Sequence, residues 1–523
     1  MRKFIALSLL TFLCFSGVFA VYTDKTFLMP RSQGIDLPME YTTWHRIIHH
    51  SSNAKYNGGL QAVGFYQNST NKSDLGNYFG FKQNGTIYNQ IGVSQTTAND
   101  VKYPAGFVLN TNDIIHDWSY VDHDTTNRVA KITGSYTFKP EQEVYGAKLY
   151  FHQDLDKILD GLFFRANAPI VSVRNDINLT LKDATKLKQQ LPVDDVLTGA
   201  EVSILDYLAG RVENTDVYNK QAALKYAKLT TGSHSSTGIA DIDLSLGYTF
   251  MEHKHFRGAF LIDMIIPTGK TPKGEFIFEP VHGNGHHWGI GCGLDFVINL
   301  YKGEDKSLDI MFVGKYNYLF EGIEKRTLNF KASNGTYSPA NQYFQAGEAL
   351  KTGVFPMANI LTQDLRVTPA SVFDGIAALA LNWKGFTLDL GYNLFAKAVE
   401  HVSLRNAWEN DKYAEANWAY DTANAFDIND YGNAVADAKA YSYDGSGASD
   451  TNPVNAAIQL NMLNLDHAKT PAQLTNKLYA GLGYIFRRNT YPILIGIGGD
   501  YEWASKNSAL ENWAVWGKLG FSW

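Results

Sequence analysis

Apolar side chains stand at every second position from Ile242 to Phe250, with Asp243, Ser245, Gly247 and Thr249 between them. Only an extended strand sorts such a run onto two opposite faces, because its side chains alternate with a period of two. Phe256 to Met264, Trp288 to Leu300, Leu308 to Phe320 and Phe386 to Leu394 repeat the rule. These runs are about 10 to 15 residues long, whereas a soluble strand averages about 5 to 6 and a tilted strand needs about 9 to 11 to cross a bilayer. After residue 20 no stretch of about 18 apolar residues could cross as a helix. A membrane-spanning chain of this pattern must therefore close its strands into a barrel, the other structure that satisfies every backbone group in hydrocarbon.

The same alternation places strands near 56–67, 129–138, 142–152, 158–166, 169–181, 238–250, 255–266, 287–300, 307–320, 372–383, 385–396, 476–487, 491–503 and 511–523. The expected fold is thus an all-β transmembrane antiparallel barrel of about 14 strands (range ~12 to 16), an even number. Short links are expected near Arg488-Asn489, Lys384, Lys302 to Asp305, Glu252-His253, Ala166 to Ala168 and Lys139 to Glu141. Between them lie long links near 85–128, 182–237, 267–286, 321–370 and 398–474, with a lesser one at 504–510. Short and long links on opposite rims are the pattern of outer-membrane barrels. One link breaks the alternation, Gln153 to Lys157, which is short where a long loop is due. Helix-forming runs at 195–228 and 405–440 read as folded extracellular loop structure.

Residues 1–20 combine basic Arg2 and Lys3, an apolar run from Phe4 to Phe15 and a small-residue cleavage site at Val18-Phe19-Ala20, the make-up of a secretory signal peptide. Its removal leaves Cys292 as the one cysteine, so no internal disulfide is available. Residues 21–55 are expected as a periplasmic N-terminal segment, whose entry into the lumen the sequence leaves open, and 56–523 as the barrel. A net charge of -6 argues against a nucleic-acid partner.

The last strand carries Trp513, Val515, Gly517, Leu519, Phe521 and Trp523 on one face. This resembles the final strand of Gram-negative outer-membrane β-barrel proteins. The resemblance implies that Phe521 and Trp523 form the signal read by the outer-membrane assembly machinery, with Trp in place of the usual terminal Phe. Ile265-Ile266-Pro267-Thr268-Gly269-Lys270, followed by Trp288-Gly289-Ile290-Gly291-Cys292-Gly293, looks like a loop and strand of outer-membrane transport proteins for hydrophobic small molecules. Pro471 to Leu474 with Tyr479 to Tyr484, and the closing Trp513 to Trp523, look like uncharacterised barrels of host-dependent Gram-negative bacteria.

If the apolar series faces lipid, the alternate positions line the lumen. These are Lys148, His152, Asp241, Asp243, Arg257, Asp263, Asp295, Asn299, Asp309, Lys315, Asn317, Asp389, Asn393, Arg487, Asp500, Glu502 and Lys518. Acids outnumber bases among them, which suits a water-filled passage with mild cation preference. Gly289, Gly291, Gly293, Gly481, Gly483, Gly496 and Gly498 leave space inside, for a pore or for a plug. Aromatics near strand ends, such as Tyr248, Trp288, Trp383 and Trp503, suit the interfacial girdles. The clusters His282, His286, His287 and His253, His255 lack the accompanying ligands of a metal site. No nucleophile elbow, His-Glu-x-x-His or phosphate loop occurs, so neither catalysis nor a cofactor is expected. The expected partners are the outer-membrane bilayer, its assembly machinery and small solutes that diffuse through the lumen, with the number of copies left open. The competing reading is a surface structural or adhesion barrel with an occluded lumen and partner-binding loops.

Overall fold

The computed structural model describes residues 25–46, 57–79, 84–91, 130–182, 187–188, 201–202, 204–213, 222–331, 341–343, 345–348, 354–415, 458–486, 491–507 and 511–523. The leader 1–20, most of the 85–128 link and most of 405–440 lie outside these residues.

Thirteen strands form one antiparallel sheet: β1 (Gly58–Ser69), β2 (Glu141–Asp154), β3 (Leu162–Asp176), β4 (Ser233–Ile239), β5 (Ile242–His253), β6 (Phe256–Ile266), β7 (Gly289–Lys302), β8 (Lys306–Leu319), β9 (Ala370–Trp383), β10 (Phe386–Lys397), β11 (Gln473–Phe486), β12 (Ile493–Lys506) and β13 (Asn512–Ser522). β13 pairs with β1, and β5 closes the ring on β3. β4 continues β5 along the same edge of β3, so the wall is a closed barrel of twelve staves.

The staves show an apolar band outward, while some apolar side chains, such as Val63, Phe65 and Val313, face inward and pack with Leu37 and Met39 of the inner segment. Leu149, Leu246, Ile262, Ile290, Leu390, Leu482, Ile497 and Leu519 are each more than two-fifths exposed, and both sequence neighbours of Leu149, Leu246, Ile262 and Leu519 are buried. An apolar band around a closed strand cylinder, with polar residues inside, is the surface that a bilayer requires.

Two of the expected wall strands are corrected. Residues 130–137 pair with Asn84–Ile91 and Thr180–Lys182 in a separate small sheet, outside the barrel. The expected strands 158–166 and 169–181 are one stave, β3, which runs straight through Pro169. The proline is tolerated because the opposing edge carries a bulge. Ile170 pairs with Ile239 and Asn167 with Asp243, so the β4–β5 side has one residue more. Pro169 needs no N–H there, and its carbonyl accepts from Ala240 N at 2.9 Å. With these two changes the loop pattern becomes regular. The links 155–161, 254–255, 303–305, 384–385 and 487–492 are short and share one rim with both ends of the wall, and the others share the opposite rim. The short link after Gln153, anomalous for fourteen strands, belongs on the short rim of twelve. At the Lys384-Gly385 hairpin both residues have positive φ (50° and 93°), the geometry that a two-residue turn needs to match strand twist.

The long-rim links fold over the barrel. Gly322–Thr327, Thr362–Thr368 and His401–Leu404 form a small antiparallel sheet. It packs on an apolar core of its own that includes Leu328, Met357, Leu361, Leu365, Val367 and Val402. In the 195–228 link the described helix is Ile204–Leu208.

Candidate functional site: the filled lumen

A barrel's width grows with its strand number, and about eight strands suffice for side chains alone to fill the interior. Twelve leave space, and here chain occupies it. Residues 25–46, expected in the periplasm as part of 21–55, instead run down the inside of the barrel. Thr26 Oγ1 donates to Thr327 O at the capped rim, and Trp44 packs on Ile485 and Leu494 near the short-turn rim.

The segment turns once, as α1 (Leu37–Tyr41). Asp36 caps it by accepting from Met39 N at 3.1 Å, and Pro38 sits in the first turn, where its missing N–H is no loss. A helix end leaves carbonyls without partners. Lys518, from the wall, supplies the donors: its Nζ lies 2.7 Å from Met39 O and 2.6 Å from Thr42 O. Thr43 then adopts φ 63°, a costly conformation for a β-branched residue, and is held by Asp389, whose Oδ2 accepts from Thr43 N at 2.7 Å. The inward glycines of β11 make this approach possible: a side chain at Gly481 would collide with Thr42, and one at Gly483 with Thr43.

Three groups of charges surround the segment. At the first, Tyr41 donates to Asp295 at 3.2 Å, and Arg165 reaches Asp295 at 3.0 Å and also bonds the Tyr41 hydroxyl. Arg257 approaches Asp295 more loosely, at 3.8 Å. At the second, Lys315 bridges Asp243 (3.2 Å) and Asp263 (3.1 Å). At the third, Lys477 stands among Asp36 (3.4 Å), Asp500 (3.2 Å) and Glu502 (3.6 Å), while Arg31 meets Asp374 at 2.7 Å and Asn393 at 3.0 Å. Removing one member of such a buried pair strands the other, at a cost of about 3 to 5 kcal/mol.

The remaining sequence candidates are placed as follows. Lys148 is buried over the ring of Phe65. His152 lies 2.9 Å from Asp154 and accepts from Arg165 Nε at 3.2 Å. Asp309 and Asn317 are buried on the inner face, and Asn299 is half-buried beside a register shift at the short-turn end of β7. Arg487 lies outside the described residues. Phe521 faces outward, and Trp523 stacks obliquely with it and with Phe151 at the short-turn rim. The histidines of 282–287 do not converge: His282 meets Ser236, His286 the Gly269 carbonyl and His287 Glu324.

The period-two signal does not reach Arg31, Asp36 and Tyr41, because residues 25–46 form no strand. Sequence reasoning missed Arg165, Asp374 and Lys477 as well. The period-two signal was present for Lys477, between Thr475 and Tyr479, and for Arg165, between Phe163 and Asn167.

Above the lumen, a buried clasp ties the cap together. Arg326 bonds Glu324 at 2.8 Å and Glu400 at 2.5 Å and lies over the ring of Phe27. Glu324 also meets His287 at 2.7 Å, and Glu400 accepts from Lys397 at 3.0 Å and from Thr470 N at 2.9 Å. The 267–288 link folds inward beneath it, where Gly283 N donates to Gln33 Oε1 at 2.9 Å.

The closed wall, its outward apolar band and its polar, occupied interior define a transmembrane β-barrel of the outer-membrane kind. No family model matches the chain, and no curated protein matches it by sequence. Among solved structures it is similar to the transport unit of the autotransporter AIDA-I from Escherichia coli, at 8% identity over 93% of this chain and 94% of that one, with a TM-score of 0.24. A FadL homologue from Pseudomonas aeruginosa aligns at 7% identity over 90% and 89%, TM-score 0.25. A mutant of the monoaromatic hydrocarbon channel TodX aligns at 8% identity over 89% of both chains, TM-score 0.29. Superpositions this loose transfer neither a ligand nor a residue's role.

Proposed function

We propose that the chain is a gated outer-membrane channel for small solutes, closed here by residues 25–46, and that it performs no catalysis. The observation that carries this reading is how the lumen is closed. The segment meets Asp374, Asp389, Lys477 and Lys518 through polar contacts, and water can replace each of them when the segment moves. The wall behind the segment carries charge, as a hydrated path requires. The secretory leader and the aromatic end of the last strand support delivery to the outer membrane by its assembly machinery, and the acidic excess of the lumen supports a mild cation preference.

A second reading is a closed barrel that displays a partner-binding cap. It is favoured by the separate apolar core of the cap around Leu361 and Leu365. Planar-bilayer conductance in a salt gradient separates the two, using the wild type and the Arg31→Ala and Asp36→Ala variants. The channel reading expects rare cation-selective openings that become more frequent in both variants. Silence from all three, with folding verified by heat-modifiable gel mobility, would overturn it in favour of the closed barrel.

A further inference from the structure

Between the inner segment and the wall lies a cavity of about 60 Å³, bounded by Arg31 and Ser32, the β4–β5 bulge at Asp241, Asn284 of the inward link, and β8 to β10. It exceeds the ~10 to 15 Å³ that one water needs and falls short of the ~150 Å³ of a cavity that admits benzene, so it holds about four small groups.

Charge accounting around it leaves one group unmatched. Of the charged residues that bound the cavity, Arg31 is paired with Asp374, Lys397 with Glu400 at 3.0 Å, and Asp243 with Lys315. Asp241 has no cationic partner among the described residues. The bulge turns two successive residues, Ala240 and Asp241, into the interior, and Asp241 is only 2% exposed. Its Oδ2 accepts from Ser32 at 3.0 Å, and backbone amides of Gly269 and Asn284 approach the same carboxyl. Among the described residues its Oδ1 has no hydrogen-bond partner, and neither has Oδ1 of Asn317, a residue 1% exposed that also lines the cavity. Two residues that each carry a buried acceptor without a donor among the described residues, one of them a carboxyl with no cation beside it, line the same space. The rest of the wall is largely hydrocarbon: Ile35, Ile265, Leu319, Val372 and Phe395.

We propose that this cavity binds a small organic cation with a primary ammonium head and a short alkyl body. The ammonium offers three N–H donors and the missing charge, to Asp241 Oδ1 and Asn317 Oδ1. The alkyl body occupies the side formed by Leu319, Val372 and Phe395. A bare metal ion fits this space less well, because hydrocarbon on most sides cannot replace its oxygen ligands. Binding here does not depend on passage through the barrel, and the two are tested by different readouts.

The test is calorimetric titration of the purified full chain in detergent with ethylammonium chloride, with sodium chloride and tetramethylammonium chloride as controls at equal ionic strength. The expected result is saturable binding of ethylammonium, no comparable heat from sodium, and none from tetramethylammonium, which has no N–H and is larger. Asp241→Asn, close in shape, and Asn317→Leu, which keeps the charge, should each weaken binding by about tenfold or more, the loss of one buried charge-assisted contact. Ethylammonium heat no greater than that of sodium in the wild type means that the cavity holds water only, and overturns the proposal. Unchanged affinity in whichever of the two variants folds overturns it as well, by placing the binding elsewhere.

Discussion

Lys518 places a buried ammonium under the end of α1 and donates to carbonyls that the short helix cannot satisfy itself. Lys518→Met keeps most of the volume and removes the donors. An acceptor left buried and unpaired costs about 1 to 3 kcal/mol, so the inner segment should loosen before the wall does. Limited proteolysis of the refolded protein checks this: cleavage within 25–46 should accelerate while the barrel stays resistant, and equal protection in variant and wild type would refute the role of Lys518. Gly481 is the complementary case, since it matters for what it lacks. Gly481→Val puts a branched side chain where the Thr42 methyl now sits, so the segment must shift. Conductance openings should become more frequent than in wild type, and an unchanged opening frequency would show that the wall, rather than the segment, yields.

At the scale of the strand, the two faces have different tolerances. Leu244 lies on the outer face of β5, opposite Met264 and Ala166 on the neighbouring staves. Leu244→Arg exposes a cation to hydrocarbon, at a cost of about 2 to 4 kcal/mol near the membrane midplane. Refolding yield into lipid vesicles should fall well below that of wild type, and an undiminished yield would contradict the assigned facing. This facing was legible in the sequence, because a period of two is a property of the strand itself and needs no partner to be seen. The staves from β5 to β13 were therefore located within a few residues. The strand count was harder, because Ala166 to Pro169 resembles a turn until the bulge at Ala240 and Asp241 is known. Residues 130–137 alternate like wall residues, although they pair outside the wall. Both errors concern which strand lies alongside which, information that no single segment contains.

For the whole molecule, the alternation separates the two faces of each strand but does not say what the inner face meets. Lys477 and Asp36 are far apart in sequence, and their contact exists only because the chain re-enters its own barrel. Nothing local in Asp36-Leu37-Pro38 says that the short helix it starts stands inside a lumen. The clasp around Arg326 is of the same kind, joining three links and the inner segment at one buried point, and it makes the cap sensitive to acid. Burial alone would raise the pKa of Glu400, but Arg326 and Lys397 outweigh it and hold the carboxyl well below its ordinary value of 4.5. A carboxyl whose folded pKa is depressed stabilises the fold fully above its unfolded value, and this stabilisation is lost as pH falls below that value toward the folded one. Glu400→Gln should therefore lower the unfolding temperature by a constant amount at neutral pH, with the gap to wild type narrowing steadily below about pH 4.5. Thermal unfolding of both proteins from pH 7 to pH 3 measures this. A gap that stays constant through the acid range would mean that Glu400 contributes by shape and hydrogen bonding rather than by charge, and the cap would then stay shut in acid.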